Sequence, residues 1–434
     1  MIYMNIALLG YGIEGESAYN YFLDKYPDAT FTIYDESDKP KKDIPKGIKF
    51  IGGQKNGFHS IDADIVVKTP AIPPEKVSST GNITTATKEF FLACRAPIIG
   101  VTGTKGKGTT SSLIAEMLKA SGKKVHLVGN IGVPALAELS KVSKEDIVVY
   151  ELSSFQLWDL NKSPETAVVL MIEPDHLNVH KDLEDYVEAK SNITKYQEAT
   201  DTVIYNPENS YSSEIAKISA GSKLPYNTKQ AAYIEDDGIF IDETKVCSIE
   251  DVKIPGRHNL ENICAAVSAV WLYTKDVESL QLAIRNFTGL PHRLKLVGQK
   301  KGVSYYDDSI STTIGSAIAA LRSFKLPKVI ILGGSKKGAD FTELAKEIAL
   351  SNIRKVIVYG EEAPQIIKAL ELENFLNFTY LEDTAMKDIV QYSASISELG
   401  DIVILSPACA SFDMFDSYQD RGDQFVSAVQ ELDD

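Results

Sequence analysis

Lys107 closes a glycine-dense run, Gly100-Val-Thr-Gly-Thr-Lys-Gly-Lys107, and its flanks decide what a lysine there can do. Before it, Ile98, Ile99, Gly100 and Val101 read as a buried strand ending at Thr102. After it, residues 109–120 carry Leu113, Met117 and Leu118 at helical spacing. A strand, a Gly-rich turn and a helix N-terminus make a phosphate cradle. Glycines let backbone N–H groups approach an anion, the helix end offers unpaired donors, and the lysine adds charge. The general pattern G-x-x-x-x-G-K-[ST] is missed twice, by Val101 at the first glycine and by Gly108 at the hydroxyl position.

Further groups with chemistry follow predicted strands at 124–128, 146–150 and 166–172: Asn130, then Glu151, then Asp175 and His176. In open parallel sheets ligands bind at the carboxyl ends of strands, so these residues are expected to converge near Lys107. Magnesium takes few protein oxygens together with phosphates and waters, which suits Glu151, with His176 as a less usual second ligand. Lys190, on a predicted helix over 183–197, reads by itself as a solvated lysine. Asn259 and Asn262, early in a helix over 257–273, would suit a nucleoside triphosphate with its metal. Arg293 and Asp308 would close over it, arginine clamping a phosphoryl group and aspartate pairing with ribose hydroxyls. The residues alone therefore support phosphoryl transfer and leave the substrate open.

These groups need elements to hold them. Residues 4–9 form a short apolar strand, followed by Gly10-Tyr-Gly12-Ile-Glu-Gly15, a helix to about residue 25 and a second strand ending at Asp35. That is G-x-G-x-x-G in a strand–turn–helix context, with an acidic residue about 20 positions on, and it points to a nucleotide diphosphate. A strand at 63–68 leads into Thr69-Pro70-Ala71. Residues 1–95 thus read as a Rossmann-type domain and 96–290 as a second domain, with a hairpin around Asp237-Gly238. In residues 291–434, strands at 303–307, 328–332, 355–358 and 401–405 alternate with helices starting near Thr312, Phe341, Ala363 and Thr384. That alternation predicts another doubly wound sheet.

Composition bounds the class. A chain of 434 residues exceeds one ordinary core. With 44% hydrophobic and 24% charged residues it is globular, and a net charge of -15 argues against a general nucleic-acid or membrane-surface role. The four cysteines show neither C-x-x-C nor zinc spacing, which fits a reduced compartment. The N-terminus has no basic n-region, and no apolar run reaches membrane-spanning length, so a cytoplasmic protein is expected.

Several stretches resemble the Mur ligase family, in its D-glutamate-adding branch. Glu151-Leu-Ser-Ser-Phe-Gln-Leu157 is similar to that branch's signature, and Gly103-Thr-Lys-Gly-Lys107 to the family's ATP loop. Asn130-Ile-Gly132, Asp175-His176, Ala189-Lys190, His258-Asn259-Leu-Glu-Asn262, Gly289-Leu-Pro-His-Arg293, Asp308-Ser309 and Ser406-Pro-Ala-Cys-Ala-Ser411 follow in family order.

The resemblance implies three α/β domains: an N-terminal Rossmann-like one, a central P-loop ATPase-like parallel sheet and a C-terminal Rossmann-like one. It implies that Gly12, Ile13, Glu14, Asp35, Thr69, Pro70, Ala71 and Asn130 bind UDP-N-acetylmuramoyl-L-alanine. ATP would be held by Gly103, Thr104, Lys105, Gly106, Lys107, Gly108, Thr109, Asn259, Asn262, Arg293 and Asp308. Two magnesium ions would be held by Glu151, His176 and Lys190 as a carbamate. D-glutamate would meet Thr312, Lys337, Ser411 and Phe412. The implied reaction activates the alanyl carboxylate as an acyl phosphate, which the amine of glutamate attacks, with domain closure excluding water. A monomer without nucleic-acid or membrane partners is expected. Two residues depart from the family. Gly108 replaces a metal-reaching hydroxyl, leaving Thr109, Thr110 or a water to serve, and Ile310 stands where a lysine is usual. The alternatives are a Mur-like ligase for another amino acid, such as L-glutamate, or another acceptor, and a catalytically impaired nucleotide-binding subunit.

Overall fold

Runs of four or five apolar residues without polar alternation make strands covered on both faces, and the centre of the chain is built from them. In the computed structural model, which describes residues 4–40, 42–336 and 338–433, Ile98–Thr102, Ile147–Glu151 and Thr166–Val169 are buried at every position. They belong to a six-stranded sheet in the order Ser222–Pro225, Thr202–Tyr205, Thr166–Val169, Ile98–Thr102, Ile147–Glu151, Val125–Gly129. Every pairing in it is parallel. The chain winds from Ile98–Thr102 to one edge, then crosses to the other side. Such a reversal opens a crevice at the carboxyl ends of the middle strands, where Thr102 and Glu151 end, with Gly129 ending the adjoining edge strand.

Among the boundaries that differ from expectation, such as the helix over 257–273 that ends at Val270 and the strand at 63–68 that begins at Ile65, two have clear local reasons. The helix expected from residue 109 is Lys107–Ala120, because Gly106 in a left-handed conformation turns the chain directly into it. Its Leu113, Met117 and Leu118 are fully buried, each contributing about 1.5–3 kcal/mol. The strand expected over 166–172 stops at Val169, since the Met171 carbonyl turns away to accept from Thr104 N at 2.8 Å.

A second parallel sheet runs in the order Lys49–Ile51, Thr30–Tyr34, Asn5–Leu9, Ile65–Lys68, Asn82–Thr85. After Asn5–Leu9 comes helix Ile13–Lys25. Its Gly15 is obligatory, because a Cβ there would lie 2.3 Å from the Gly10 carbonyl oxygen. The two sheets share a core. Tyr150, on a central strand, meets Phe90 and Phe91 of helix Ala86–Ala93 at 5.5 and 5.6 Å between ring centroids. Its hydroxyl donates to Thr87 Oγ1 at 3.2 Å. The described residues up to Val252, with Arg257–Asn286, form one compact unit. The predicted hairpin is present, extended to three antiparallel strands by Thr244–Ser248.

Lys253–Gly256 and the residues from Phe287 onward form the other unit. Its sheet runs Lys295–Lys300, Val303–Asp307, Ile402–Leu405, Lys328–Gly333, Ile353–Tyr359, Phe378–Tyr380, parallel except for the first pair. Three of the four interior strands were legible as apolar runs and Val303–Asp307 as an alternating one. The two edge strands were not: Lys295–Lys300 is partly exposed and bounded by lysines, and Phe378–Tyr380 is only three residues long. Helices begin at Ile314, Thr342, Ala363 and Met386, within two residues of expectation. No helix among the described residues is long and apolar enough to cross a membrane.

His292 and Asp307 anchor this sheet, with Nδ1 2.7 Å from the Asp307 carboxylate. That bond outweighs burial and holds the imidazole above the usual histidine range. A raised histidine pKa adds stability that is fully present below the unfolded value, about 6.5, and is lost as pH rises through the folded value. In denaturant titrations of wild type and His292→Gln, the stability gap should be widest near pH 6 and shrink towards pH 8. A gap independent of pH would exclude the charged pair.

Candidate active site

The turn from Thr102 to Lys107 is fixed by bonds to its neighbours. Thr104 Oγ1 lies 3.0 Å from Glu173 O, 3.0 Å from Glu173 N and 2.9 Å from the Tyr186 hydroxyl. Gly106 has φ +84°, and a Cβ there would sit 2.3 Å from Asn262 Oδ1. Only glycine therefore lets helix Arg257–Val270 bring Asn262 against the loop, where its Nδ2 donates to Asn259 Oδ1 at 3.2 Å. Lys107 Nζ folds back to donate to the carbonyls of Gly103 and Thr104, both at 3.0 Å. Lys105 pairs with Glu173 at 2.5 Å at the surface, a contact worth at most about 1 kcal/mol.

Gly108 is the second residue of the helix, and Thr109, Thr110 and Ser111 behind it are buried. Thr110 Oγ1 and Ser111 Oγ have no hydrogen-bond partner among the described residues. An orphaned buried hydroxyl costs about 1–3 kcal/mol unless a water or ligand satisfies it.

Lys190 comes to the same loop from helix Leu183–Lys195. It is 1% exposed, not solvated as its position alone suggested. Its Nζ donates to Gly103 O at 3.0 Å, lies 3.4 Å from Thr102 Oγ1 and sits 4.6 Å over the Tyr186 ring. Lys107 and Lys190 thus share one carbonyl oxygen. Burial, then the Lys107 charge, push the Lys190 amine well below the ordinary lysine range, against the pull of Asp175 and Glu151. Its neutral, nucleophilic form is thereby favoured over that of a solvated lysine.

Glu151 is 4% exposed at its strand end, and Oε1 accepts from Asn130 Nδ2 at 2.9 Å. His176 is half-exposed, with φ +54° and its Nε2 3.5 Å from Asp175 Oδ2. Burial lowers its pKa, the Asp175 charge opposes this, and Lys107 and Lys190 add to the lowering. A neutral imidazole can ligate a metal. Among the described residues no three His, Cys, Asp or Glu side chains cluster to hold a metal by themselves. Two protein ligands plus phosphate and water is, however, the ordinary magnesium arrangement.

Residues that spacing did not reveal complete this surround. His180 is buried with Nδ1 2.8 Å from Asp185 Oδ2 and Nε2 3.0 Å from Ser154 Oγ. Phe155 stacks on it at 5.4 Å. Gln156 Nε2 donates to Glu14 Oε1 at 3.1 Å, reaching from the central sheet to the first. Burial raises the Glu14 carboxyl, opposed by that bond. Glu14 therefore turns inward, while Gly12 and Ile13 stay exposed at the helix start. Asp35 accepts from Tyr11 N at 3.1 Å and Ser37 N at 2.9 Å, and Thr69 Oγ1 donates to Leu9 O at 3.0 Å. Pro70 and Ala71 follow in the same turn. Lys68, next to them, is buried with Nζ 2.6 Å from both Ile72 O and Asp159 Oδ2.

In the second unit, Asp308 is buried and accepts from Leu294 N at 3.0 Å, Ser311 Oγ at 2.5 Å and Ser406 Oγ at 2.7 Å. Burial pushes its pKa up to about 6 in spite of those bonds. Three donors on one carboxylate make it a fastener of its own turn. Arg293 is exposed, Thr312 half-buried, Ser411 buried and Phe412 75% exposed. Lys337 lies outside the described residues. Ile310, in the position noted above, is half-buried and donates its N–H to His292 O.

Residues 101–270 match the Mur ligase middle domain and residues 292–409 the Mur ligase, glutamate ligase domain. The UDP-N-acetylmuramoylalanine--D-glutamate ligase of Clostridium kluyveri is 34% identical over 453 aligned residues, covering 98% of this chain and 96% of that protein. The ligase of the same name from Acetivibrio thermocellus is 36% identical, with the same coverage. Among solved structures, UDP-N-acetylmuramate-alanine ligase MurC from Thermotoga maritima superposes with a TM-score of 0.62 at 18% identity, covering 99% of each chain. MurF from Acinetobacter baumannii superposes with 0.63 at 14% identity, covering 85% of each. At those identities the structures speak for the fold.

Proposed function

Since this chain belongs to the Mur ligase family, we propose that it is the member that joins D-glutamate to UDP-N-acetylmuramoyl-L-alanine at the expense of ATP. It would act in the cytoplasm, as a monomer, in peptidoglycan precursor synthesis. Residues 1–95 take the UDP part of the acceptor, 96–290 take ATP and 291–434 take the amino acid. The observation that supports this reading most is Lys190, a buried amine whose proton is disfavoured by burial and by Lys107 beside the phosphate loop. A neutral amine adds carbon dioxide and loses a proton to give a carbamate, so that an uncharged buried group becomes an anion.

A carboxylate is a poor electrophile, so the alanyl carboxylate must gain a leaving group before an amine can displace its oxygen. The γ-phosphoryl group of ATP passes to it and ADP departs. The glutamate amine then attacks the acyl carbon, phosphate leaves, and an amide forms. The Gly103–Thr109 backbone and the start of the Lys107 helix cradle the phosphates, and the Lys107 ammonium offsets their charge during transfer. Asn262 and Asn259 border the loop on its nucleotide side. Asn130, fastened to Glu151, orients the acceptor. Magnesium, when bound, would neutralise triphosphate charge, held by Glu151, His176 and the Lys190 carbamate, with Thr109 or Thr110 supplying the hydroxyl that Gly108 lacks. Arg293 and Asp308 serve the nucleotide, and Thr312, Lys337, Ser411 and Phe412 the amino acid.

The experiment is ADP release with UDP-N-acetylmuramoyl-L-alanine against a panel of D- and L-amino acids. D-glutamate alone should support turnover. Ile310, which removes a cation from the second unit, favours a different amino acid as the second reading, and preference for L-glutamate or a neutral amino acid would establish it. ATP binding without turnover on any amino acid would leave a nucleotide-binding subunit instead.

A further inference from the structure

Arg421 heads the fully buried side chains of the described residues by volume, and an arginine is charged at any working pH. Its Nε donates to Ser309 Oγ at 2.9 Å, Nη2 to Ser309 O at 2.8 Å and Nη1 to Cys409 O at 3.1 Å. Ser309 Oγ in turn donates to Tyr418 O at 2.8 Å. No carboxylate pairs with the guanidinium among the described residues. A buried charge without a counter-ion is unfavourable beside an apolar side chain of the same volume. What the guanidinium supplies instead is a rigid fork that grips two segments at once.

Those segments are the turn after Val303–Asp307 and the loop after Ile402–Leu405, at the carboxyl ends of paired parallel strands. The first carries Asp308 and Thr312, the second Ser411 and Phe412. A backbone bond from Ala408 N to Ser311 O at 2.9 Å, with Ala408 at φ +59°, joins them again. We propose that Arg421 is a positioning residue for the amino-acid substrate: it fixes the spacing between the 308–312 turn and the 406–412 loop. The inference rests on the amino-acid site proposed above. It requires no contact between Arg421 and substrate.

The test uses the full chain, with ADP release measured while each of the three substrates is varied in turn. Arg421→Lys keeps the charge but loses the fork, and Ser309→Ala removes one acceptor with little risk to folding. Arg421→Lys should raise the amino-acid KM on the order of tenfold with kcat at saturation nearly kept. Ser309→Ala should raise it by less; in both, the KM for the UDP substrate should stay put, and the ATP KM, which Asp308 on the same turn can touch, should rise less than the amino-acid KM. Equal rises in all three KM values, or a fall in kcat alone, would overturn the inference and leave a packing role. Ser411→Ala separates the two layers of the argument. If it raises the amino-acid KM while Arg421→Lys and Ser309→Ala do not, the Arg421 inference fails alone. If none of the three variants raises it, the amino-acid site itself is misplaced.

Discussion

Lys190→Ala should lower the rate of ADP release by on the order of 10²–10³-fold, and millimolar formate or acetate should restore part of it. The size follows from where the amine sits. Its Nζ is within hydrogen-bond reach of the loop carbonyl that Lys107 also uses, and the side chain is closed to solvent. Alanine leaves a hole the length of a lysine chain beside that loop. A small carboxylate fits the hole and returns the negative charge that a carbamate would have supplied, whereas it cannot replace a cation. Rescue by carboxylate and none by methylamine is therefore the diagnostic pair. Unchanged activity in Lys190→Ala would remove the carbamate from the mechanism. Melting curves run alongside separate lost chemistry from lost fold.

Lys107→Met should be comparably severe, on the order of 10²–10³-fold in kcat with the acceptor KM little changed. Methionine keeps nearly the length of the apolar stem and removes the charge, together with the two bonds from Nζ to the Gly103 and Thr104 carbonyls, so melting curves are needed beside the rates. A second effect follows from the shared Gly103 carbonyl. After burial, the Lys107 charge is what lowers the Lys190 amine, so its removal shifts Lys190 back towards the protonated form, which cannot add carbon dioxide. Neighbours coupled this way do not add. Lys107→Met combined with Lys190→Ala should lose markedly less than the product of the two single losses. Simple multiplication would show that the two lysines act independently.

Much of the fold was legible because parallel strands buried on both faces leave unbroken apolar runs, and most interior strands carry them, while Thr30–Tyr34 and Val303–Asp307 alternate. Edge strands such as Lys295–Lys300 and Phe378–Tyr380 carry no such mark, since half of each faces water. The phosphate loop was legible from glycine spacing, and Glu151 and Asn130 from their places at strand ends. Lys190 and Arg421 were harder, because charged residues on helices are usually solvated. In both cases the register held the signal. Tyr186, Lys190, Ile193 and Thr194 lie on one buried stripe, as do Arg421, Phe425, Ala428 and Val429. A cation in step with an apolar stripe is committed to the interior. Nothing in sequence could have paired Gln156 with Glu14, which are 142 positions apart and brought together only by packing of the two sheets.

That single bond between Gln156 and Glu14 has a thermodynamic consequence. One end belongs to the turn expected to meet a diphosphate, the other to the helix that follows Glu151. A ligand that draws Glu14 outward must break the bond or carry Gln156 with it, and either response disturbs the Ser153–Gln156 turn just after Glu151. Linkage is symmetric, so the factor by which the UDP-sugar changes the affinity for ATP equals the factor by which ATP changes the affinity for the UDP-sugar. Gln156→Ala would pull that common factor towards one from both directions at once, leaving two sites that fill as strangers.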